Sequence, residues 1–268
     1  MKKALAVISA LDFAFILLLS LSGSFGGALG ELLYYLSFAT PAVLVLLLRR
    51  RLGIEMKPPR VKISGEGLGI TLAFAAPSLA LVFLVSYLTS LALSHFGGGP
   101  VADVSGDLWL VLIKNALAVP LLEEMLFRYI PLSLLSEHSR RGAIIYSAVF
   151  FASVHCSLYQ LPYAFLAGVI FALLDIMTDS ILPSLLLHVA NNAISVLWLR
   201  YSGDALFSEM YVTVLVSLAA ISLPIIYVMR ARIKKRILPI MAERGRIAPS
   251  IEAAVLVGMT LIISFINL

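Results

Sequence analysis

The sequence has very little charge and almost no cysteine for its length. Its 268 residues include one cysteine, Cys156, so no disulfide can form within the chain. Only 13% of the residues are charged and 61% are hydrophobic, whereas a soluble domain has about 25% charged and about 45–50% apolar residues. This scarcity of charge excludes an ordinary soluble domain and predicts that the chain is embedded in the lipid bilayer. The net charge of +5 is typical of loops that lie beside anionic lipid. We therefore predict no nucleic-acid partner.

Apolar runs of membrane-spanning length recur along the chain. They predict an all-α fold, a polytopic membrane helix bundle of about eight to nine transmembrane helices around an intramembrane cavity. The first run has the basic start of a signal peptide, but its length favours an uncleaved first helix. We divide the chain into amino-terminal helices (1–107), a central core (108–199), which contains the motifs described below, and carboxyl-terminal helices (200–268). The predicted spans are 4–21, 31–48, 67–93, 108–132, 142–157, 161–177, 181–199, 211–229 and 251–268.

The lysines and arginines are distributed unevenly over the loops between these spans. Most of the 20 basic residues fall at the start of the chain and in residues 49–62, 140–141 and 230–246. If the spans alternate in direction, all of these segments lie on one side, which is the cytoplasmic side by the positive-inside rule. The pattern predicts an integral, multi-pass membrane protein with a cytoplasmic amino terminus, in the plasma membrane if the source is prokaryotic.

Two adjacent carboxylates and an arginine interrupt the apolar run 108–132. A charge at membrane depth costs about 2.5–3.5 kcal/mol on insertion scales, so it is rare without a use. Glu124 and Arg128 are four residues apart with the acid first, which favours an ion pair on one helix face. Glu123 points about 100° away and is expected to face a different surface. We therefore predict a supporting pair, Glu124 with Arg128, and a free acid, Glu123.

Two later spans carry polar side chains at the same spacing of four. Phe151 and His155 lie on the run 142–157, and His188 and Asn192 lie on the run 181–199. At 1.5 Å per residue, Glu123 lies about 14 Å from the cytoplasmic end of its helix, and the two histidines and the asparagine lie about 10–20 Å from theirs. These depths fall in the middle of a bilayer core of about 30 Å. We expect one shared site, accessible from the cytoplasmic side.

The remaining polar side chains of the spans are expected to have structural roles. Asp175 and Asp179 fall near a helix end and are predicted to be solvated. Asn191 is predicted to point away from the His188 face. Lys114 lies near the outer end of its span, where its amine can reach the membrane surface.

In combination, the three motifs resemble those of a known family. EExxxR begins at Glu123, FxxxH at Phe151 and HxxxN at His188. In this order, each on its own membrane helix, they are similar to the motifs of the CPBP family of CAAX proteases and bacteriocin-processing enzymes, over about residues 108–199. The resemblance implies an intramembrane endopeptidase of the glutamate type, with no cofactor and no metal, that acts on a prenylated or other membrane-associated peptide. Tyr129 departs from the family pattern, because many relatives have glycine there.

The resemblance also implies a role for each motif residue. Glu123 and His155 would hold a water molecule and remove its proton. His188 and Asn192 would stabilise the oxyanion that forms when this water attacks the peptide carbonyl. The residues that would support the site are Glu124, Arg128 and Phe151.

Three other functions are compatible with the same residues. A zinc metalloendopeptidase could use the glutamate and the histidines as ligands, although the sequence lacks an HExxH motif. Intramembrane Glu, His and Asn side chains also form proton relays in transporters. A membrane immunity or scaffold protein could keep the fold without the activity. A Cys–His nucleophile is not expected, because Cys156 and His155 are adjacent and their side chains diverge on a helix.

Overall fold

The computed structural model describes residues 2–93, 104–243 and residue 258. Eight helices contain most of these residues, and no strand occurs among them. The predicted all-α fold is therefore confirmed. The helices are α1 (Lys2–Gly23), α2 (Gly27–Leu48), α3 (Gly65–Leu93), α4 (from Leu108 to Leu135), α5 (Arg140–Ser153), α6 (Leu161–Thr178), α7 (Leu182–Tyr201) and α8 (Ala205–Met241).

Six of these helices are long and apolar enough to cross a membrane, namely α1, α2, α3, α6, α7 and α8. Each predicted span up to residue 229 coincides with one of the eight helices. The shortest helix, α5, has 14 residues and ends at Ser153, before the predicted end at residue 157. The predicted span 251–268 lies outside the described residues, and the division into three regions stays a prediction.

Helix α4 is continuous but widens twice into π turns. Its segments are Leu108–Leu112, the π turn Ile113–Ala118, Val119–Glu123, the π turn Glu124–Tyr129, and Ile130–Leu135. The segment after each π turn carries a proline near its start, Pro120 and Pro131. Proline has no N–H and its ring clashes with the carbonyl of the fourth residue before it. Each π turn lies just before such a proline, where its wider i to i+5 bonding makes room for the ring.

Helix α4 lies at the centre of the bundle. The ring of Phe127 packs edge-on against Phe15 of α1 at 5.1 Å and Phe38 of α2 at 6.4 Å, measured between ring centroids. On the other side of the site, α5 and α6 approach closely at Gly168. A Cβ atom on Gly168 would lie 2.8 Å from the Cα atom of Ala148. A larger residue would therefore force α5 and α6 apart, and both helices supply partners to the site.

The polar contacts between loops fall at two opposite ends of the bundle. We call the end that carries residues 49–66, 136–141, 179–181 and 230–243 the basic face. Its ion pairs are Lys57–Glu137, Arg60–Asp179, Arg140–Glu243 and Arg236–Glu66. The contacts at the other end are Lys114 with Glu31, Arg200 with the Val104 carbonyl, and Tyr159 with the Leu93 carbonyl. Each contact joins segments that alternating spans place on the same side of a membrane.

Candidate active site

Arg128 is fully buried, at 0% exposure, and all three of its guanidinium nitrogens have partners. Its Nε and Nη2 atoms lie 3.3 Å and 3.5 Å from the carboxylate oxygens of Glu124. Its Nη1 atom donates to Ser147 Oγ at 2.8 Å and to the Gly168 carbonyl at 3.3 Å. The ring of Phe151 lies 5.0 Å from the guanidinium carbon, within the range of a cation–π contact. The predicted Glu124–Arg128 ion pair is present, and it connects α4 to α5 and α6.

His188 on α7 lies between the two adjacent glutamates. Its Nδ1 atom is 2.8 Å from Glu124 Oε1, and its Nε2 atom is 3.3 Å from Glu123 Oε2. An ionised carboxylate only accepts hydrogen bonds, so with both acids ionised both ring nitrogens donate and the ring is an imidazolium. The prediction that Glu123 faces a surface apart from Glu124 is wrong. Glu123 and Glu124 point in different directions from α4, but one imidazole ring reaches both because its two nitrogens lie on different sides of the ring.

His155 lies just beyond the end of α5, so its predicted place within the helix is wrong. The helix ends at Ser153, and the N–H of His155 bonds to the carbonyl of Ala152 at 3.4 Å in a tighter turn. The Nδ1 atom lies 2.7 Å from the carbonyl oxygen of Phe151. A carbonyl only accepts, so Nδ1 carries a proton, and in the neutral form of the ring the Nε2 atom keeps its lone pair. The ring of Phe151 packs against both His155 and His188, at centroid distances of 5.0 Å and 5.3 Å.

Asn192 on α7 is held by the backbone of α4. Its Nδ2 atom donates to the Asn115 carbonyl at 2.9 Å, and its Oδ1 atom accepts from Asn191 at 3.3 Å. The Asn115 carbonyl is free for this bond because the π turn directs the N–H of Val119 one residue further back. The next residue, Pro120, has no N–H to offer. A proline and a π turn in α4 thus determine where Asn192 points.

The prediction that Asp175 lies at a solvated helix end is wrong. It is only 5% exposed, and it accepts the N–H of Ser184 at 3.2 Å and the hydroxyl of Ser184 at 2.8 Å. The chain turns back sharply at Asp179, whose φ of 54° is left-handed, and this turn places Asp175 beside the start of α7. Asp179 itself is exposed, as predicted, and pairs with Arg60.

Two serines in contact with the site were missed from the sequence. Ser147 accepts from Arg128 and donates to the Phe127 carbonyl at 2.6 Å. Ser184 joins Asp175 to α7. Both serines lie four residues before a motif residue, Ser147 before Phe151 and Ser184 before His188 in the sequence. That spacing was the available signal, because residues four apart share a helix face.

The carboxylate oxygens and imidazole nitrogens of the site are of the types that bind metal ions. Within residues 2–93 and 104–243, no three His, Cys, Asp or Glu side chains are arranged to hold a metal ion. Both nitrogens of His188 lie within reach of carboxylate oxygens. Of the two histidines, His155 is thus the one whose Nε2 lone pair is available to a water molecule or to another ligand.

Comparison with known families gives a match over the segment that contains these residues. Residues 105–194 match the family model described as Type II CAAX prenyl endopeptidase Rce1-like. The chain thus carries, over about a third of its length, a domain similar to those of the CAAX prenyl endopeptidase family. It is therefore a peptidase, and its six long apolar helices make it an integral, multi-pass membrane protein. The matched range contains every residue predicted for the site. No curated protein and no solved structure matches the chain.

Proposed function

We propose that this CAAX protease family member hydrolyses a peptide bond with a water molecule that Glu123 and His155 activate. The observation that supports the proposal most is the placement of Glu123 beside two histidines that pack on one phenylalanine ring. Phe151 holds the rings of His155 and His188 at centroid distances of 5.0 Å and 5.3 Å, and Glu123 Oε2 lies 3.3 Å from His188 Nε2. The Nδ1 proton of His155 is used on the backbone, so Nε2 can accept a hydrogen bond from water while the carboxylate takes the proton. A positioned general base contributes about 10²- to 10⁴-fold in rate.

His188 and Asn192 are the proposed donors to the oxyanion. Glu124, which is held by Arg128, accepts a hydrogen bond from the Nδ1–H group of His188. This bond orients the ring so that its Nε2–H group points toward Glu123. The amide of Asn192 has two N–H groups, of which one is bonded to the Asn115 carbonyl and the second can reach a substrate oxygen. Removal of one such donor typically costs about 2.7–4 kcal/mol of transition-state stabilisation.

The proposed substrate is a prenylated peptide or another membrane-associated peptide. The site is built on helices whose outer surfaces are apolar, which suits a substrate that carries a lipid or lies in the membrane. We also propose that the basic face is cytoplasmic, because the lysines and arginines of the loops concentrate there. The amino terminus would then lie in the cytoplasm, and the peptide would enter from that side.

A cleavage assay with a farnesylated CAAX peptide in detergent tests the proposal. We expect the wild-type protein to release the terminal tripeptide, and we expect Glu123→Gln and His155→Ala to lower kcat by about 10²-fold or more. Glu137→Gln is the matched control, because Glu137 is an exposed glutamate of the basic face. Full activity of Glu123→Gln would contradict the mechanism and would favour a scaffold role. Equal cleavage of the peptide without its farnesyl group would widen the substrate class to membrane-associated peptides.

A chelator separates the glutamate mechanism from the zinc mechanism. We expect 1,10-phenanthroline to leave the cleavage rate unchanged, because the proposed base and the proposed oxyanion donors are side chains. Loss of activity on chelation, with recovery when zinc is added back, would favour a metalloendopeptidase that uses the same residues.

A further inference from the structure

We propose that Asp175 is a positioning residue that sets the orientation of His188 through Ser184. Asp175 belongs to none of the three sequence motifs and lies on α6, whereas His188 lies on α7. The inference rests on the proposed function in one respect only, namely that His188 takes part in the reaction.

Asp175 caps the start of α7 from a neighbouring helix. The N-terminal N–H groups of a helix have no partner within the helix, and no side-chain cap comes from the local residue Ile181. Asp175 supplies the missing acceptor, since its Oδ1 atom lies 3.2 Å from the N–H of Ser184. A carboxylate at this position also interacts favourably with the positive end of the helix dipole.

The hydroxyl of Ser184 makes the link specific. It donates to Asp175 Oδ2 at 2.8 Å, so one carboxylate holds both the backbone and the side chain of the same residue. Ser184 is 0% exposed, and water therefore cannot replace either bond. The two contacts fix both the position of the first turn of α7 and its rotation about the helix axis.

His188 follows Ser184 by one helical turn on the same face of α7. Its ring has to present one nitrogen to each of two carboxylates, at 2.8 Å and 3.3 Å. A shift or rotation of the first turn of α7 would move both nitrogens at once. Because a misplacement of about 1 Å can cost 10²-fold in rate, the contact between Asp175 and Ser184 is well placed to control the chemical step.

Three substitutions separate this role from a general effect on packing. Asp175→Ala leaves the N–H of Ser184 without its acceptor and leaves the hydroxyl only the Ile181 carbonyl at 3.0 Å. Asp175→Asn keeps the shape and an acceptor for the N–H, and its amide can donate to the hydroxyl oxygen, so the link survives without the charge. Asp179→Asn is the matched control, because Asp179 lies at the end of the same helix but is exposed, and asparagine tolerates its left-handed backbone.

Cleavage of the farnesylated peptide gives the first readout. We expect Asp175→Ala to lower kcat by about 10- to 100-fold with KM within about twofold of wild type. Asp175→Asn should recover most of this loss, and Asp179→Asn should match the wild type. A wild-type kcat in Asp175→Ala, or a change confined to KM, would overturn the proposal.

A second readout needs no substrate. In protein labelled with ¹⁵N-histidine, the ring N–H signals of His188 can be assigned by their loss in His188→Gln. We expect these signals to shift or broaden in Asp175→Ala and to be unchanged in Asp179→Asn. Unchanged signals in Asp175→Ala would overturn the proposal.

The spectroscopic readout also separates the two proposals. If the wild type cleaves no peptide, the proposed function fails, while the histidine signals still decide whether Asp175 orients His188. Should Asp175→Ala fail to fold, Ser184→Ala takes its place, because it removes only the hydroxyl. We expect it to move the same signals by a smaller amount, and unchanged signals would again overturn the proposal.

Discussion

Helices α1 and α4 both contain buried carboxylates among apolar residues. Glu124 of α4 has charged partners, whereas Asp12 of α1 has a carboxylate oxygen without a hydrogen bond among the described residues. Glu124 of α4 is 1% exposed and contacts Arg128 and His188. Asp12 of α1 is 3% exposed, and its Oδ2 atom has no hydrogen-bond partner in the described part of the chain. Burial of an acid in a membrane helix therefore does not by itself identify a catalytic site. The partners of the two acids distinguish them, because Glu124 is held by charged neighbours and the Oδ2 atom of Asp12 is not.

The comparison predicts a large difference in activity between the two helices. We expect Glu123→Ala to reduce kcat by about 10²- to 10⁴-fold, because it removes the proposed general base. Asp12→Asn should leave kcat unchanged, because Asp12 does not contact the site residues. Peptide cleavage by the two purified variants checks both expectations. A comparable loss in Asp12→Asn would show that α1 takes part in the reaction.

The next largest effect concerns stability. We expect Arg128→Met to lower the free energy of unfolding by about 3–5 kcal/mol, because it leaves the buried carboxylates of Glu123 and Glu124 with His188 as the one cation between them. The double variant Arg128→Met with Glu124→Gln should be less destabilised than Arg128→Met alone, since it leaves no unpaired charge. Thermal unfolding in detergent measures both. An equal loss in the double variant would mean that packing, and not the unpaired charge, sets the effect.

Removal of the acid in α1 should increase the free energy of unfolding instead of lowering it. We expect Asp12→Leu to raise the free energy of unfolding by about 1–3 kcal/mol, because a buried polar atom without a partner is destabilising. Asp12→Asn should gain less, since its amide is still buried and polar. Unfolding temperatures under identical detergent conditions give the comparison. A destabilised Asp12→Leu would indicate a polar partner for Asp12 outside the described residues.

The smallest effect is expected for a carboxylate at the basic face. Burial opposes the ionisation of Glu243, but hydrogen bonds from the side chain of Arg140 and the backbone N–H groups of Arg140 and Arg141 outweigh it and hold the pKa of Glu243 below its ordinary value. The folded state then binds fewer protons than the unfolded state, so this contribution is present above the unfolded pKa and is lost as the pH falls through the lowered pKa. We expect Glu243→Gln to cost less than about 1 kcal/mol at pH 7, because the pair is partly exposed.

The unfolding temperatures of wild type and Glu243→Gln should therefore converge as the pH is lowered below about 4. A difference that stays constant across this range would show that the charge of Glu243 does not contribute to stability.

The parts of the site that were predicted correctly depend on short distances along the chain. The Glu124–Arg128 pair follows from the spacing of four residues on one helix, and the contact between Phe151 and His155 is kept even though the helix ends between them. The π turns of α4 were not predicted, although Pro120 and Pro131 were visible in the sequence. Their effect on Asn192 depends on the approach of α7 to the Asn115 carbonyl, which no local pattern encodes.

The sequence by itself determined the all-helical membrane fold, the positions of the helices and the three motifs, because hydrophobic length and helical periodicity are local properties. Only the tertiary structure decided that Glu123 and Glu124 meet on one histidine ring and that Asp175 is buried against Ser184. Both outcomes result from contacts between different helices: His188 is 64 residues from Glu124, and the turn at Asp179 folds Asp175 of α6 onto the start of α7. The free energy of those contacts depends on which polar groups remain without a partner once the helices have packed.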